Sequence, residues 1–432
     1  MKTYYFFKRS ITFAVFFAFA LSFQSKAQQA TIDGIIYQAV AVEGGESYAE
    51  TVALPRSGDS HVPYTAESIT IQAKVTIGGV EYPVRKIGDN SMRENPNLKS
   101  VTLPDGLETI GNSSFAQCPE IKEVVVPASV KAIEDWAFYG CPNLEKINIP
   151  DGITAITEHT FQQTGLTSVE LPASVTTLGV CAFQTARKLA SINLENVTDI
   201  KSWALGETAL TSAVAEKVRF LGSNAFFACP ELESAVLGSA VQTGEWSFQN
   251  CAKLTEITLP NTLESIDGGT FSGCSSLKSI VIPSSVLFLG AWAFEKTAIT
   301  EIFASWEKPD DLITDANIFG ADEGQINFTW KVPESLRSLY GDEFLGYPVE
   351  TGEPSGNEPA YIRAEAFYSA GNLIIANLSG YNAFVYSSDG RSVSRFSIND
   401  SRQVVPLSLP SGVYFFHAVK GGKTATARFL VR

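Results

Sequence analysis

The side chains best suited to chemistry in this 432-residue chain are three histidines, six cysteines and six tryptophans. His61, His159 and His417 lie in different segments, so a Ser-His-Asp or Cys-His relay would have to bridge parts of the chain that fold apart. Gly58-Asp59-Ser60 has the composition of a hydrolase triplet but not the strand-to-helix setting that aims a nucleophile. No P-loop, dinucleotide fingerprint, His-Glu-x-x-His or calcium loop occurs. Without a Cys-x-x-Cys pair or a histidine cluster, the thiols form no metal motif. These residues predict a non-catalytic protein with no cofactor and no metal.

The tryptophans carry a different possibility. Trp136, Trp203, Trp246 and Trp292 occupy one position of a repeating unit, and His159 shares it. Aromatic faces at an equivalent position suit stacking on sugars or on a protein partner. The same spacing also fits rings that cover the core edge at a coil corner. They never fall in consecutive units, which argues against a continuous platform.

The element that positions these side chains is the repeat itself. Met92, Phe115, Phe138, Phe161, Phe183, Leu205, Phe226, Phe248, Phe271 and Phe294 follow one another at intervals of 21 to 23 residues, giving about ten coils. Five residues before each stands an aliphatic residue, from Ile87 to Leu289, with Thr243 the exception. After the Phe slot comes L-x-x-I-x-L, as in Leu144/Ile147/Ile149 and Leu277/Ile280/Ile282, closed in several coils by proline. Alternation in that stretch is the period of a half-buried strand. A fixed period of this length predicts a repeat solenoid, a parallel β-sheet with short irregular or helical returns, in which each coil buries its apolar face only against its neighbours. Cys118, Cys141, Cys229, Cys251 and Cys274 sit three residues after the Phe slot, where other coils carry Asn95, Thr164, Ala186, Thr208 and Thr297. That slot reads as small and buried, holding free thiols that pack as small hydrophobes. A disulfide between adjacent coils is the alternative.

Around the repeats (87–303) the chain divides into further segments. Residues 1–27 have a basic start, an apolar run and a small-x-small site before Gln28, the pattern of a cleaved signal peptide, leaving no integral membrane span. Residues 28–86 predict a β-rich cap with a Gly78-Gly79 turn. Residues 304–350 predict a closing cap with a strand near Thr329–Val332 and a short helix near Glu334–Tyr340. Residues 351–360 read as a linker, and 361–432 as a small all-β sandwich with a hairpin turn at Asp389-Gly390. Residues 28–360 carry 20 basic and 43 acidic side chains, a balance of −23, which excludes nucleic acid and anionic membrane as partners.

On the strand face, Val214, Val236, Thr258, Val281 and Phe303 occupy the outward position of successive coils and form a candidate protein contact patch, although β-branched residues also favour strands for their own sake. Leu205 in the Phe slot and Ala213, Ala215 and Ala235 in strand positions predict a looser or more bent stretch over residues 195–245.

The unit I-x-x-x-A-F-x-x-C-x-x-L-x-x-I-x-L-P resembles the BspA-like leucine-rich repeats of exported bacterial proteins and some protist surface proteins. That resemblance implies a secreted or surface-exposed adhesin-like protein whose ligand is a protein, host matrix included, and it supplies no invariant binding residues. A glycan ligand held by the tryptophans, or a purely structural spacer, are the alternatives. The tail is similar to the C-terminal sorting domains of the type IX secretion system, through Val385–Arg391, Leu409–Tyr414 and a basic last strand. The similarity implies export to the cell surface, outer membrane or extracellular space, with residues 361–432 engaging the secretion machinery.

Overall fold

The computed structural model describes residues 28–57, 60–320 and 327–352 and, in the C-terminal segment, 365–369, 372–376, 380–387, 392–399, 402–420 and 423–431. The leader, Gly58-Asp59, residues 353–360 of the expected linker and the Asp389-Gly390 turn lie outside the described residues.

The repeats wind into a β-solenoid of about 12 turns. Two rows of parallel strands run along it. The front row comes from the I-x-L stretch, beginning with Ser68–Thr70 and Ser100–Thr102 and ending with Thr329–Val332 and Tyr347–Thr351. The rear row comes from the aliphatic slot before each Phe, in strands of only two residues such as Thr109–Ile110, Ala132–Ile133 and Thr177–Leu178. Two residues are too short for alternation to register in the sequence. Between the rows lies a single core in which the Phe slots stack coil on coil. Phe115, Phe138, Phe161 and Phe183 form one run, with centroids 5.4 to 5.7 Å apart. Phe226, Phe248, Phe271, Phe294 and Phe319 form another, at 5.1 to 5.9 Å. Leu205, fully buried, separates the two.

The returns are a third ladder, and they are not helical. The residues two before and two after each Phe slot hold left-handed backbone, as at Trp136 (φ 61°) and Gly140 (φ 66°) around Phe138 and at His159 (φ 55°) and Gln163 (φ 60°) around Phe161. Alternating left- and right-handed residues turns every second N–H the same way. Trp136, Phe138 and Gly140 accordingly donate to the carbonyls of Glu158, Thr160 and Gln162 in the next coil, at 2.9 to 3.0 Å. Left-handed backbone costs an L-residue about 1–2 kcal/mol, and here three inter-coil bonds per return hold it in place.

At the amino end, antiparallel strands Gln29–Ile32, Ile35–Val40 and Tyr48–Val52 extend the rear row through Val80–Ile87. The Gly78-Gly79 turn, both residues at positive φ, joins Lys74–Ile77 to Val80–Ile87. At the far end Trp306, Trp330, Tyr340 and Phe344 pack edge-on and tilted beneath Thr329–Val332, the single turn of α-helix at Arg337–Tyr340 and the Tyr347–Thr351 strand. The C-terminal segment forms two antiparallel sheets of three and four strands around Leu373, Ile375, Val385 and Phe416.

Candidate functional site

The outward positions of the front row follow two patterns. In the early coils the strands are two residues long, as in Glu123–Val124 with Lys146–Ile147 and Ser168–Val169 with Ser191–Ile192. There the outward residues Asn148 and Asn193 turn back onto the previous coil. Asn148 accepts from the Val126 N–H and donates to its carbonyl, both at 2.8 Å, and Asn193 does the same to Leu171 at 2.6 and 2.9 Å. Each carboxamide takes the place of a peptide group, so the backbone ladder stops.

From residue 212 onward the outward residue is Val, Thr or Phe and the backbone pairs for longer. Ser212–Ala215 matches Ser234–Leu237 over four registers, which brings Val214 opposite Val236, and Val236 lies opposite Thr258. Val281 lies opposite Phe303 in the same way. Val214 and Val281 are exposed (44% and 36%), and Val236 and Thr258 half-buried. Phe303 is only 7% exposed, flanked by Val281 on one side and the long side chain of Lys331 on the other, so it offers no face to a ligand. Within the stretch expected to be loose, Ser212–Ala215 and Ser234–Leu237 pair as fully as Ser279–Ile282 and Glu301–Ala304 do, with Ala213, Ala215 and Ala235 buried in the stack. Among the described residues, however, no strand pairing joins Ser191–Ile192 to Ser212–Ala215, and the rear row is reduced to a single bridge at Gln242. Sequence reasoning missed an apolar set on the rear row, where Phe220, Val241, Leu287 and Ile313 are exposed. Its strands were too short to be recognised.

The four tryptophans all occupy the left-handed position before the Phe slot. Each lays its ring against a neighbouring aromatic. Trp136 stacks on His159 at 3.8 Å and meets Tyr139 edge-on at 4.9 Å, and Trp203 tilts against Phe227 at 4.8 Å. Trp246 and Trp292 stand two coils apart in sequence, yet their rings stack at 6.0 Å. The coil between them carries Gly269 in this slot, and a Cβ there would meet the Trp246 ring at 1.9 Å. The missing side chain is what joins them, and Gly269 was its only signal in the sequence. Trp292 is the most open of the four, at 41%. His159 Nδ1 lies 2.7 Å from Gln162 Oε1, and Gln162 donates on to Gln184.

All six cysteines are free and buried. In the repeat slot each thiol donates to the carbonyl of the preceding coil's Phe-slot residue, as Cys141 does to Phe115 and Cys251 to Phe226, both at 3.1 Å. Thr164, Thr208 and Thr297 donate instead to the Phe-slot carbonyl of their own coil, at 2.8 Å. The slot therefore requires small volume, and in every coil but that of Ala186 it is filled by a side chain that can donate. Burial pushes the Cys118 and Cys274 thiols up to about 12, so they stay protonated at neutral pH. Among the described residues no group of three His, Cys, Asp or Glu side chains could hold a metal, and no helix is long and apolar enough to cross a membrane.

A family model described as the BspA type leucine rich repeat region matches residues 85–211 and 206–308. No curated protein matches the chain. Among solved structures, the pneumococcal vaccine antigen PcpA is 18% identical over 76% of this chain and 99% of that one, with a TM-score of 0.43. A leucine-rich repeat protein from Bacteroides ovatus is 21% identical over 75% of this chain and 100% of its own, with a TM-score of 0.34. A leucine rich cell surface protein from Faecalibacterium prausnitzii is also 21% identical, over 75% of this chain and 98% of its own, with a TM-score of 0.36.

Proposed function

The chain belongs to the BspA type leucine rich repeat family, and on that premise we propose that it is an exported, non-catalytic binding module that engages a protein ligand at the bacterial surface. The observation that carries this reading is the row of Val214, Val236, Thr258 and Val281. Val214, Val236 and Thr258 are in register on the front strands, Val281 holds the same repeat position in the next coil, and the four are partly open to solvent and bordered by Ser212, Ser234 and Glu256. An apolar strip with a polar border is the ordinary anatomy of a protein contact. The tryptophans support a glycan ligand less well, since each already spends a ring face on a neighbour. In this reading the leader starts export, and residues 361–432 hand the chain to the type IX machinery.

Screening the purified chain against matrix proteins and a glycan array tests the proposal. Retention of a protein that is lost in Val236→Lys and Val281→Lys variants supports it. Retention of a glycan that is lost on replacing Trp246 and Trp292 by Ala would replace it, and silence in both screens would favour a spacer. Export is tested separately: a chain lacking 361–432 should accumulate inside the outer membrane.

A further inference from the structure

The amino-terminal cap closes one row of the solenoid and leaves the other open. Gln29–Ile32, Ile35–Val40 and Tyr48–Val52 continue the rear row, whereas the front row starts abruptly at Ser68–Thr70, which pairs with Ser100–Thr102 and with no other strand among the described residues. In that pair the Ile71 N–H donates to the Thr102 carbonyl at 3.0 Å and the Ser100 N–H to the Glu67 carbonyl at 3.4 Å. Alternation along a parallel ladder therefore turns the peptide groups of Ser68 and Thr70 away from the solenoid. Beside this edge runs a cleft of about 480 Å³ between the strand and the cap, lined by Ile35, Leu54, Pro63 and Tyr64 with Asp33 at its rim. Asp33 makes no ion pair with any basic side chain among the described residues.

We propose that this edge is a second binding site, which takes an extended basic peptide by strand addition. A row of unpaired N–H and C=O groups is complemented by another extended backbone. The burial of Ser68–Thr70, with Ile69 inward and its neighbours exposed, sets the side-chain pattern of the occupant. In an added strand, alternate side chains fall toward Ile35 and Leu54 and should be apolar, and the others lie outside beside Ser68 and Thr70. The charge follows from Asp33 and from the −23 balance of residues 28–360, which attract lysine and repel glutamate. This site is distinct from the valine row, lying at the first coil on peptide groups instead of side chains.

The test uses the full chain and a fluorescein-labelled acetyl-(Val-Lys)4-amide peptide, read by anisotropy and by hydrogen exchange. Binding is expected to protect amides within 63–70. Thr70→Pro removes one outward N–H without touching the bond from Ile71, and should weaken binding at least tenfold, whereas Val281→Lys should leave it unchanged. Alternate N-methylation of the peptide should abolish binding, and this control on the unaltered chain decides the matter should Thr70→Pro fail to fold. Equal binding by the N-methylated peptide would mean charge attraction alone and overturn the proposal. So would protection confined to other segments, or a dimer of the free chain that Thr70→Pro dissolves, since the edge would then belong to a second copy.

Discussion

The early and late coils share one core and differ on one face. Both stack phenylalanines at nearly the same spacing, 5.4 to 5.7 Å before Leu205 and 5.1 to 5.9 Å after it. On the front row, however, Asn148 and Asn193 cut the ladder to two residues early, while Val236 and Phe303 let it run to four residues late. At Asn148 and Asn193 the outward residue seals the edge with a side chain where the late coils seal it with backbone. The clamps that seal the early coils are carboxamides, though Val125 also stands outward there at 67% exposure, and the paired late coils carry Val214, Val236, Thr258, Val281 and Phe303 at the outward position. The contact patch follows from strand length as much as from composition.

The shared core sets the largest effect. Phe138→Ala and Phe271→Ala remove fully buried rings with a stacked neighbour on each side, one in each half. Each should cost about 3–5 kcal/mol, measured by denaturant unfolding. A loss in one half more than twice that in the other would mean that the halves do not share a core. Leu205→Phe, placed where the runs meet, distinguishes a deliberate break from an accidental one: destabilisation would show that the neighbouring coils have closed around the smaller side chain.

The thiols probe the same shared core through pH. Cys118 in the early half and Cys274 in the late half are held near 12 by burial, above the usual thiol value of about 8.5 in an unfolded chain. Between those values the unfolded state gives up protons that the folded state keeps, so stability is full below about pH 8.5 and falls as pH rises. Each thiol contributes a slope of up to about 1.4 kcal/mol per pH unit. Replacing both by Thr, which the slot accepts at 164, 208 and 297, should flatten the alkaline limb of a Tm-versus-pH curve without lowering Tm at pH 7. An unchanged limb would show that other groups govern it.

The front-row difference is tested by Asn148. Asn148→Ala strands the N–H and carbonyl of Val126 and should cost about 1–3 kcal/mol. Asn148→Val should cost less, because the backbone can then close the ladder as it does at Val236. If Val proves as costly as Ala, strand length is set by the whole coil and not by this residue.

The sequence made the core legible and left much of the surface hidden, for a physical reason. A buried slot accepts few residue types, so Phe138, Ile133 and Leu144 recur visibly. Asn148 sits at a position where most coils need only something outward-facing, and its clamp on Val126 is seen only once the coils are stacked. Trp246 and Trp292 looked isolated because contact between them depends on an absence, the missing side chain of Gly269. The left-handed returns were hidden most completely, since Trp, His, Cys, Asn and Ser all occupy a place where glycine would have announced the geometry.

That last point yields the smallest effect, and it separates the returns from the strands. Gln163 follows the Phe slot at φ 60° with its side chain exposed. At an ordinary strand or helix position glycine is worse than alanine by about 0.5–1 kcal/mol. Here the order should reverse, with Gln163→Gly more stable than Gln163→Ala by about 1 kcal/mol, because only alanine keeps the clash of a Cβ in left-handed backbone. The same pair at Thr102, an exposed front-row position, should show the usual order, alanine above glycine. Were both sites to rank alike, the inter-coil bond from the Gln163 N–H to Gln184, 2.9 Å long, would not be what imposes the left-handed turn.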